Sequence, residues 1–177
     1  MRNQYNYQNR LHLLGLPAEI RNEIMDYVLL YDRTISIYPH LHIQPAILKT
    51  CLMLRNDYMR EFYGSNRFLL QVRDYDILPF VPLYRGIFDL GLDFENFDFR
   101  ISGRPNWANM KSWAKQFHEE KFFGLLMNVP DGNAASFVEG LLFDVASALP
   151  DLSWSETERL LDAMRPLLIR ADKRWAD

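Results

Sequence analysis

Closely spaced acidic residues are the first candidates for chemistry in this sequence. They form two groups in the middle of the chain, at Asp74 and Asp76 and at Asp93, Glu95 and Asp98. Paired carboxylates can bind Mg²⁺ or divide the roles of general acid and general base. Both groups alternate with aromatic residues, a pattern that water-facing positions beside buried ones also produce. We therefore predict no catalytic residue here, and we retain a small enzyme that uses this acidic and aromatic region as an alternative.

Cys51 is the single cysteine, and it could act as a nucleophile with His40 or His42 as its base. Cys51 nevertheless falls on the apolar side of a predicted helix, where a free cysteine usually behaves as a small buried hydrophobic residue. The two histidines are spaced to chelate a metal from an extended segment, but no third ligand follows at a spacing typical of zinc sites. The sequence therefore predicts neither a catalytic cysteine nor a metal or other cofactor.

Two tryptophans belong to a dense aromatic segment that includes Phe117, Phe122 and Phe123. Trp107 and Trp113 fall on the side of a predicted helix that should face the core. If they are exposed instead, they would form a possible target surface, because aromatic side chains supply the anchors of many protein interfaces.

Composition limits the class of protein. The chain has 177 residues, of which 49% are hydrophobic, which is enough for one packed domain. Its net charge is −3 and its basic residues are scattered, so we predict no nucleic-acid partner. No apolar run reaches the roughly 18 residues of a membrane span, and the polar residues 1–13 read as a flexible lead-in without a secretion signal. We predict a cytoplasmic or nuclear protein without membrane contact.

Four elements are predicted in the first 73 residues. A helix should cover 17–31, because Pro17 suits a first helical turn and apolar residues recur at helical spacing. A strand over 34–38, a second helix from Pro45 to about 62 and a strand over 68–73 should follow. The apolar stripe of the first helix consists of Ile20, Ile24, Tyr27, Val28 and Tyr31.

The rest of the chain mixes both element types, so the predicted class is α+β. The predicted elements are a short or broken helix within 74–92, a strand over 97–101, a helix from Pro105, a buried strand over 121–129 and a helix over 134–149. The last helix should begin at Ser155, since Ser155 and Glu158 match the capping-box pattern. Pro166 should kink or restart it. We predict that 74–177 packs on the first block as one domain.

Three segments of the N-terminal third carry a recognisable pattern. They read LGLPAEIRNEI at 14–24, QPAILKTC at 44–51, and LRNDY at 54–58 followed by FYGSNRF at 62–68. In combination they resemble the F-box-like proteins that are abundant in filamentous fungi. The resemblance covers about a third of the chain and defines an F-box-like block at 14–73.

This resemblance implies a non-enzymatic protein-interaction module. F-box motifs bind a Skp-type adaptor and recruit substrates to a cullin ubiquitin ligase. Transferred by position, the resemblance places Leu16, Pro17, Ile20 and Ile24 in the adaptor contact. The region 74–177 would then supply the surface that binds the target.

The apolar stripe of the first helix has two possible uses. An amphipathic stripe normally packs against the core of its own domain. That arrangement would leave a stand-alone interaction or immunity-related scaffold without ligase recruitment. An exposed stripe could instead bind a partner in the helix-in-groove manner. Whether Leu16 and Ile20 are buried or exposed distinguishes these two uses of the stripe.

Overall fold

Segments in which apolar and polar side chains alternate form one parallel sheet. A computed structural model of the chain describes residues 12–39, 41, 43–120, 134–149 and 151–176. Within these residues the sheet order is β1-β2-β3, with β1 at Ile35–Ile37, β2 at Phe68–Arg73 and β3 at Phe97–Ser102. Together with the helices, this sheet confirms the α+β class. The strand predicted over 121–129 lies outside the described residues.

The alternation gives the sheet one apolar and one polar face. Phe68, Leu70 and Val72 of β2 are buried on the apolar face. Phe68 pairs with Phe97 of β3, and their rings stack with centroids 4.7 Å apart. Asp98, on the polar face, is exposed. The pairing of β2 with β3 crosses the boundary predicted at residue 73, so both predicted blocks contribute to this sheet.

Helices connect the parallel strands. α2 at Leu52–Ser65 lies between β1 and β2, and α3 at Val81–Asp89 lies between β2 and β3. The helix predicted from Pro45 is interrupted, because a 3-10 turn at Ala46–Lys49 precedes α2 and Cys51 is extended (φ −153°). The Thr50 hydroxyl donates to the Ile47 carbonyl (2.6 Å), a local bond that competes with helix formation.

Three further helices pack against one another. They are α4 at Trp107–Glu120, α5 at Ala134–Ala148 and α6 at Trp154–Ala171. Aromatic rings join them to the sheet: Trp113 of α4 lies 5.7 Å from Phe99 of β3 and 5.5 Å from Phe143 of α5, measured between centroids. The buried residues of the sheet and of these helices form one hydrophobic core.

The start of α6 differs from the prediction. The capping box is formed by Ser153 and Glu156, two residues upstream of the predicted pair, with the Glu156 carboxylate accepting from the Ser153 amide (3.0 Å). Pro166 does not restart the helix, which is continuous from Trp154 to Ala171. Pro166 removes one backbone donor on an exposed side of the helix, and the turns on either side retain theirs.

Candidate functional site

Helix α1, Ala18–Leu29, has two apolar sides. Met25 and Leu29 are fully buried. Successive helical residues lie about 100° apart around the axis, which places the predicted stripe on another side. The residues of this stripe that lie within α1 are exposed, with exposed fractions of 47% for Ile20, 37% for Ile24, 85% for Tyr27 and 39% for Val28. The expectation that this stripe packs into the domain's own core is therefore wrong, because Met25 and Leu29 occupy the core side.

The chain just before α1 extends this exposed side. Pro17 is the N-cap residue, with φ −50° and ψ 146°, so α1 begins one residue later than predicted. Pro17 is exposed, whereas Leu16 is half-buried. Three of the four residues predicted to bind a partner are thus exposed, with Leu16 beside them. We call Pro17, Ile20, Ile24, Tyr27 and Val28 the outer face of α1.

Tyr58 of α2 anchors the opposite side of α1. Its hydroxyl donates to Asn22 Oδ1 (2.6 Å) and accepts from Arg21 Nε (3.2 Å). The Tyr58 ring itself is buried. These bonds fix the rotation of α1 about its axis, so the outer face is held away from α2.

Asn66, the C-cap residue of α2, anchors the end of α1. Its amide Nδ2 donates to the carbonyls of Leu29 and Phe62, both at 2.8 Å. Its Oδ1 accepts from the Tyr31 amide at 2.8 Å. Asn66 is only 1% exposed, so these three bonds form away from water. The local sequence does not reveal this anchor, because Leu29 at the end of α1 and Tyr31 just beyond it lie more than 30 residues away in the chain.

Acidic side chains line one edge of the outer face. Glu19, Glu23 and Asp26 are all exposed. On a helical wheel they fall within about 60° of one another; Glu23 lies about 40° from Tyr27 and borders the outer face, whereas Glu19 and Asp26 lie about 80° and about 100° from Tyr27 on the same side. The other edge carries Arg21, whose Nε is bonded to Tyr58. The outer face is therefore apolar with a single acidic edge.

The two tryptophans do not form a target surface. Trp107 is 9% exposed and Trp113 is fully buried. The Trp107 indole Nε1 donates to Asp162 Oδ1 of α6 (2.8 Å), and the Trp113 ring contacts Phe143 of α5. The expectation that both residues face the core is confirmed, and the alternative of an exposed target surface is wrong, because both rings lie where α4 packs against its neighbours.

The first acidic group stabilises a turn. Asp74 and Tyr75 follow β2 with positive φ values of 51° and 62°. Asp74 Oδ1 accepts from the Arg104 amide (2.6 Å), and Asp76 Oδ1 accepts from the Leu78 amide (3.1 Å). A side chain at Gly103 would overlap the Asp74 carboxylate, so this glycine is required for the close approach. Both carboxylates are thus already bound to backbone amides.

The other candidates for chemistry are dispersed. Asp93 Oδ1 accepts from the Glu95 amide (3.4 Å), whereas Asp98 is exposed on the sheet. Cys51 is half-buried at the N-cap of α2, and the predicted partners His40 and His42 lie outside the described residues. The part of the chain that is described brings together no group of three residues able to hold a metal ion.

A buried polar pair was not predicted from the sequence. The Tyr75 hydroxyl donates to Glu139 Oε1 of α5 (2.7 Å), and Glu139 is 8% exposed. Burial raises the pKa of the Glu139 carboxyl, and the bond from Tyr75 offsets only part of that shift. Asp172 raises this pKa further, whereas Arg174 lowers it. The signal in the sequence was an acidic residue within the apolar run of a helix that carries only one other, Asp144.

A cleft among the described residues has a volume of about 520 Å³. Its described walls are mainly apolar and aromatic, with Met59 and Ile87 among them. Gln44 adds an amide, whose Nε2 donates to the Leu48 carbonyl (3.4 Å). Asp76 lines a different, smaller cleft. The acidic candidates and this cleft are therefore separate features.

Comparisons with known proteins add no family to this description. The chain matches no protein-family model, no curated protein and no solved structure. Among the described helices, none is both long enough and apolar enough to cross a bilayer. The outer face of α1 is the feature that sequence and geometry both single out.

Proposed function

We propose that this protein is a non-enzymatic interaction module that binds a partner through the outer face of α1. The observation that carries the proposal is the exposure of Ile20, Ile24 and Tyr27 on a helix whose other side already fills the core. Contiguous exposed apolar side chains on a folded protein are typical of interaction surfaces. The bonds from Tyr58 and Asn66 support the proposal, because they hold α1 in a fixed orientation.

The resemblance of residues 14–68 to F-box-like proteins supports one kind of partner. We propose a Skp-type adaptor, with Leu16 completing the contact made by the outer face. The rest of the domain would then present a target to a ubiquitin ligase in the cytoplasm or nucleus. The surface that binds the target is not Trp107 or Trp113, since both are buried.

Co-purification with a Skp-type adaptor tests this proposal. The wild-type chain should retain the adaptor on an affinity column, and the Ile20→Ser/Ile24→Ser variant should lose at least nine-tenths of it. Leu16→Ala/Pro17→Ala should weaken retention as well. The matched control is Leu160→Ser/Leu167→Ser, which changes two exposed apolar residues of α6 and should bind normally. Circular dichroism should show that all variants are folded.

Two results would contradict the proposal. One is a wild-type chain that fails to retain the adaptor. The other is equal retention by the wild type and by Ile20→Ser/Ile24→Ser, which would show that the contact lies elsewhere.

A further inference from the structure

The outer face of α1 has the spacing of a helix-pairing seam. Pro17, Ile20, Ile24 and Tyr27 follow one another at intervals of three, four and three residues. This spacing repeats the a and d positions of a heptad, which face a partner helix in coiled-coil packing. Val28 lies directly beside the seam and widens it. The face therefore fits another α-helix that carries apolar residues at the same intervals.

The edges of this seam differ in charge. Glu23 borders the seam on one side, and Glu19 and Asp26 lie further out on that side; the ion pairs found in the described part of the chain involve none of the three. On the opposite edge, the Arg21 guanidinium is turned toward the Tyr58 hydroxyl. A helix that packs on the seam thus passes three carboxylates on one side.

We propose that the partner presents an amphipathic helix with lysine or arginine residues along one edge of its apolar stripe. This inference rests on the proposed function and specifies the chemistry of the partner at the same site. Basic side chains would face the three carboxylates, whereas acidic ones would be repelled. The same carboxylates disfavour an anionic membrane surface, where amphipathic helices normally carry basic flanks.

Two labelled helical peptides test the charge preference. Both have leucine at a and d positions; one has lysine and the other glutamate at the edge positions. By fluorescence anisotropy in 50 mM NaCl, the lysine peptide should bind the wild-type protein about tenfold more tightly, because the acidic edge attracts lysine and repels glutamate. The preference should fall below threefold in 500 mM NaCl, because salt screens exposed charges.

A variant that lacks the three negative charges distinguishes the contribution of the acidic edge to binding from that of the apolar seam. Glu19→Gln/Glu23→Gln/Asp26→Asn preserves side-chain size and should bind both peptides with equal affinity. Ile20→Ser/Ile24→Ser should lose both peptides, and Leu160→Ser/Leu167→Ser should behave as the wild type.

The possible failures are distinguishable. Equal binding of both peptides to the wild type, lost in Ile20→Ser/Ile24→Ser, would overturn the basic-partner inference and leave the proposed function intact. Tighter binding of the glutamate peptide would overturn the inference in the same way. Binding of neither peptide, or binding that Ile20→Ser/Ile24→Ser does not weaken, would overturn both the inference and the use of α1.

Discussion

At the residue scale, the buried carboxyl of Glu139 has a consequence for stability. The pKa of this carboxyl is higher in the folded protein than in the unfolded chain. At a pH between these two pKa values, the folded state keeps a proton that the unfolded chain has lost. The contribution of Glu139 to stability is therefore fully present below the ordinary glutamate pKa of about 4.3 and declines as the pH rises to the folded pKa. The carboxyl destabilises the fold at neutral pH relative to a neutral group of the same shape.

Glu139→Gln tests this sign. The glutamine oxygen can still accept from the Tyr75 hydroxyl, so the variant should match the wild type at pH 4 and be more stable at pH 8. Urea unfolding at both pH values measures the difference. A variant that is less stable than the wild type at pH 8 would show that the charged form of Glu139 is favoured in the fold.

At the element scale, the orientation of α1 depends on Asn66. Asn66→Ala leaves the Leu29 and Phe62 carbonyls and the Tyr31 amide without this partner. Lost bonds to buried groups typically cost about 1–3 kcal/mol each, and water replaces part of that loss, so we expect a total of about 2–4 kcal/mol. Urea denaturation measures the free energy of unfolding. Ser65→Ala, at an exposed neighbour, is the control and should change it by less than about 0.5 kcal/mol.

A loss below about 1 kcal/mol for Asn66→Ala would mean that packing alone positions α1. In that case the three bonds of Asn66 would follow from the orientation of the helix, and would not determine it.

Periodicity predicted which elements form, but not which side of α1 faces inward. The alternation in 68–73 and 97–101 predicted β2 and β3 correctly, because side chains alternate across a strand. In α1 the larger apolar stripe was expected to be buried, yet the core accepts only Met25 and Leu29. The opposite side is the one bonded to Tyr58 and Asn66, which are distant in sequence and leave no local signal.

The capping box of α6 shows a second limit. The sequence contains two overlapping Ser-x-x-Glu patterns, at Ser153 to Glu156 and at Ser155 to Glu158. The local sequence does not show which of the two patterns forms the capping box. The structure uses the first, and hydrogen bonds from Ser153 lower the pKa of the Glu156 carboxyl. For the candidate site, Pro17, Ile20 and Ile24 are exposed, and their contact with a partner stays a prediction.

At the scale of the whole molecule, the C-terminal segment joins distant parts of the core. Trp175 lies in a 3-10 turn at Lys173–Ala176 and is 1% exposed. Its ring lies 4.7 Å from Tyr75 and 6.3 Å from Trp107 between centroids, and its carbonyl accepts from Arg165 Nη2 at 3.2 Å. The turn after β2, α4 and α6 therefore meet at this residue.

Trp175→Ala should lower the free energy of unfolding by about 3–5 kcal/mol, because it removes a large buried side chain and leaves a cavity. Unfolding followed by circular dichroism and by fluorescence should remain a single transition if residues 14–73 and 74–177 form one cooperative unit. Leu167→Ala, at a half-exposed position, should cost less than about 1 kcal/mol. Separate transitions for the two probes would instead show that the blocks unfold independently.

The division of α1 into an anchored side and an outer face also predicts two kinds of allele. Substitutions at Met25 or Leu29 should reduce the amount of protein in the cell, since unfolded chains are degraded. Substitutions at Ile20 or Ile24 should leave abundance normal. If the proposed function is correct, such a chain would bind its target without delivering it to the ligase, and would interfere with the wild-type copy in the same cell.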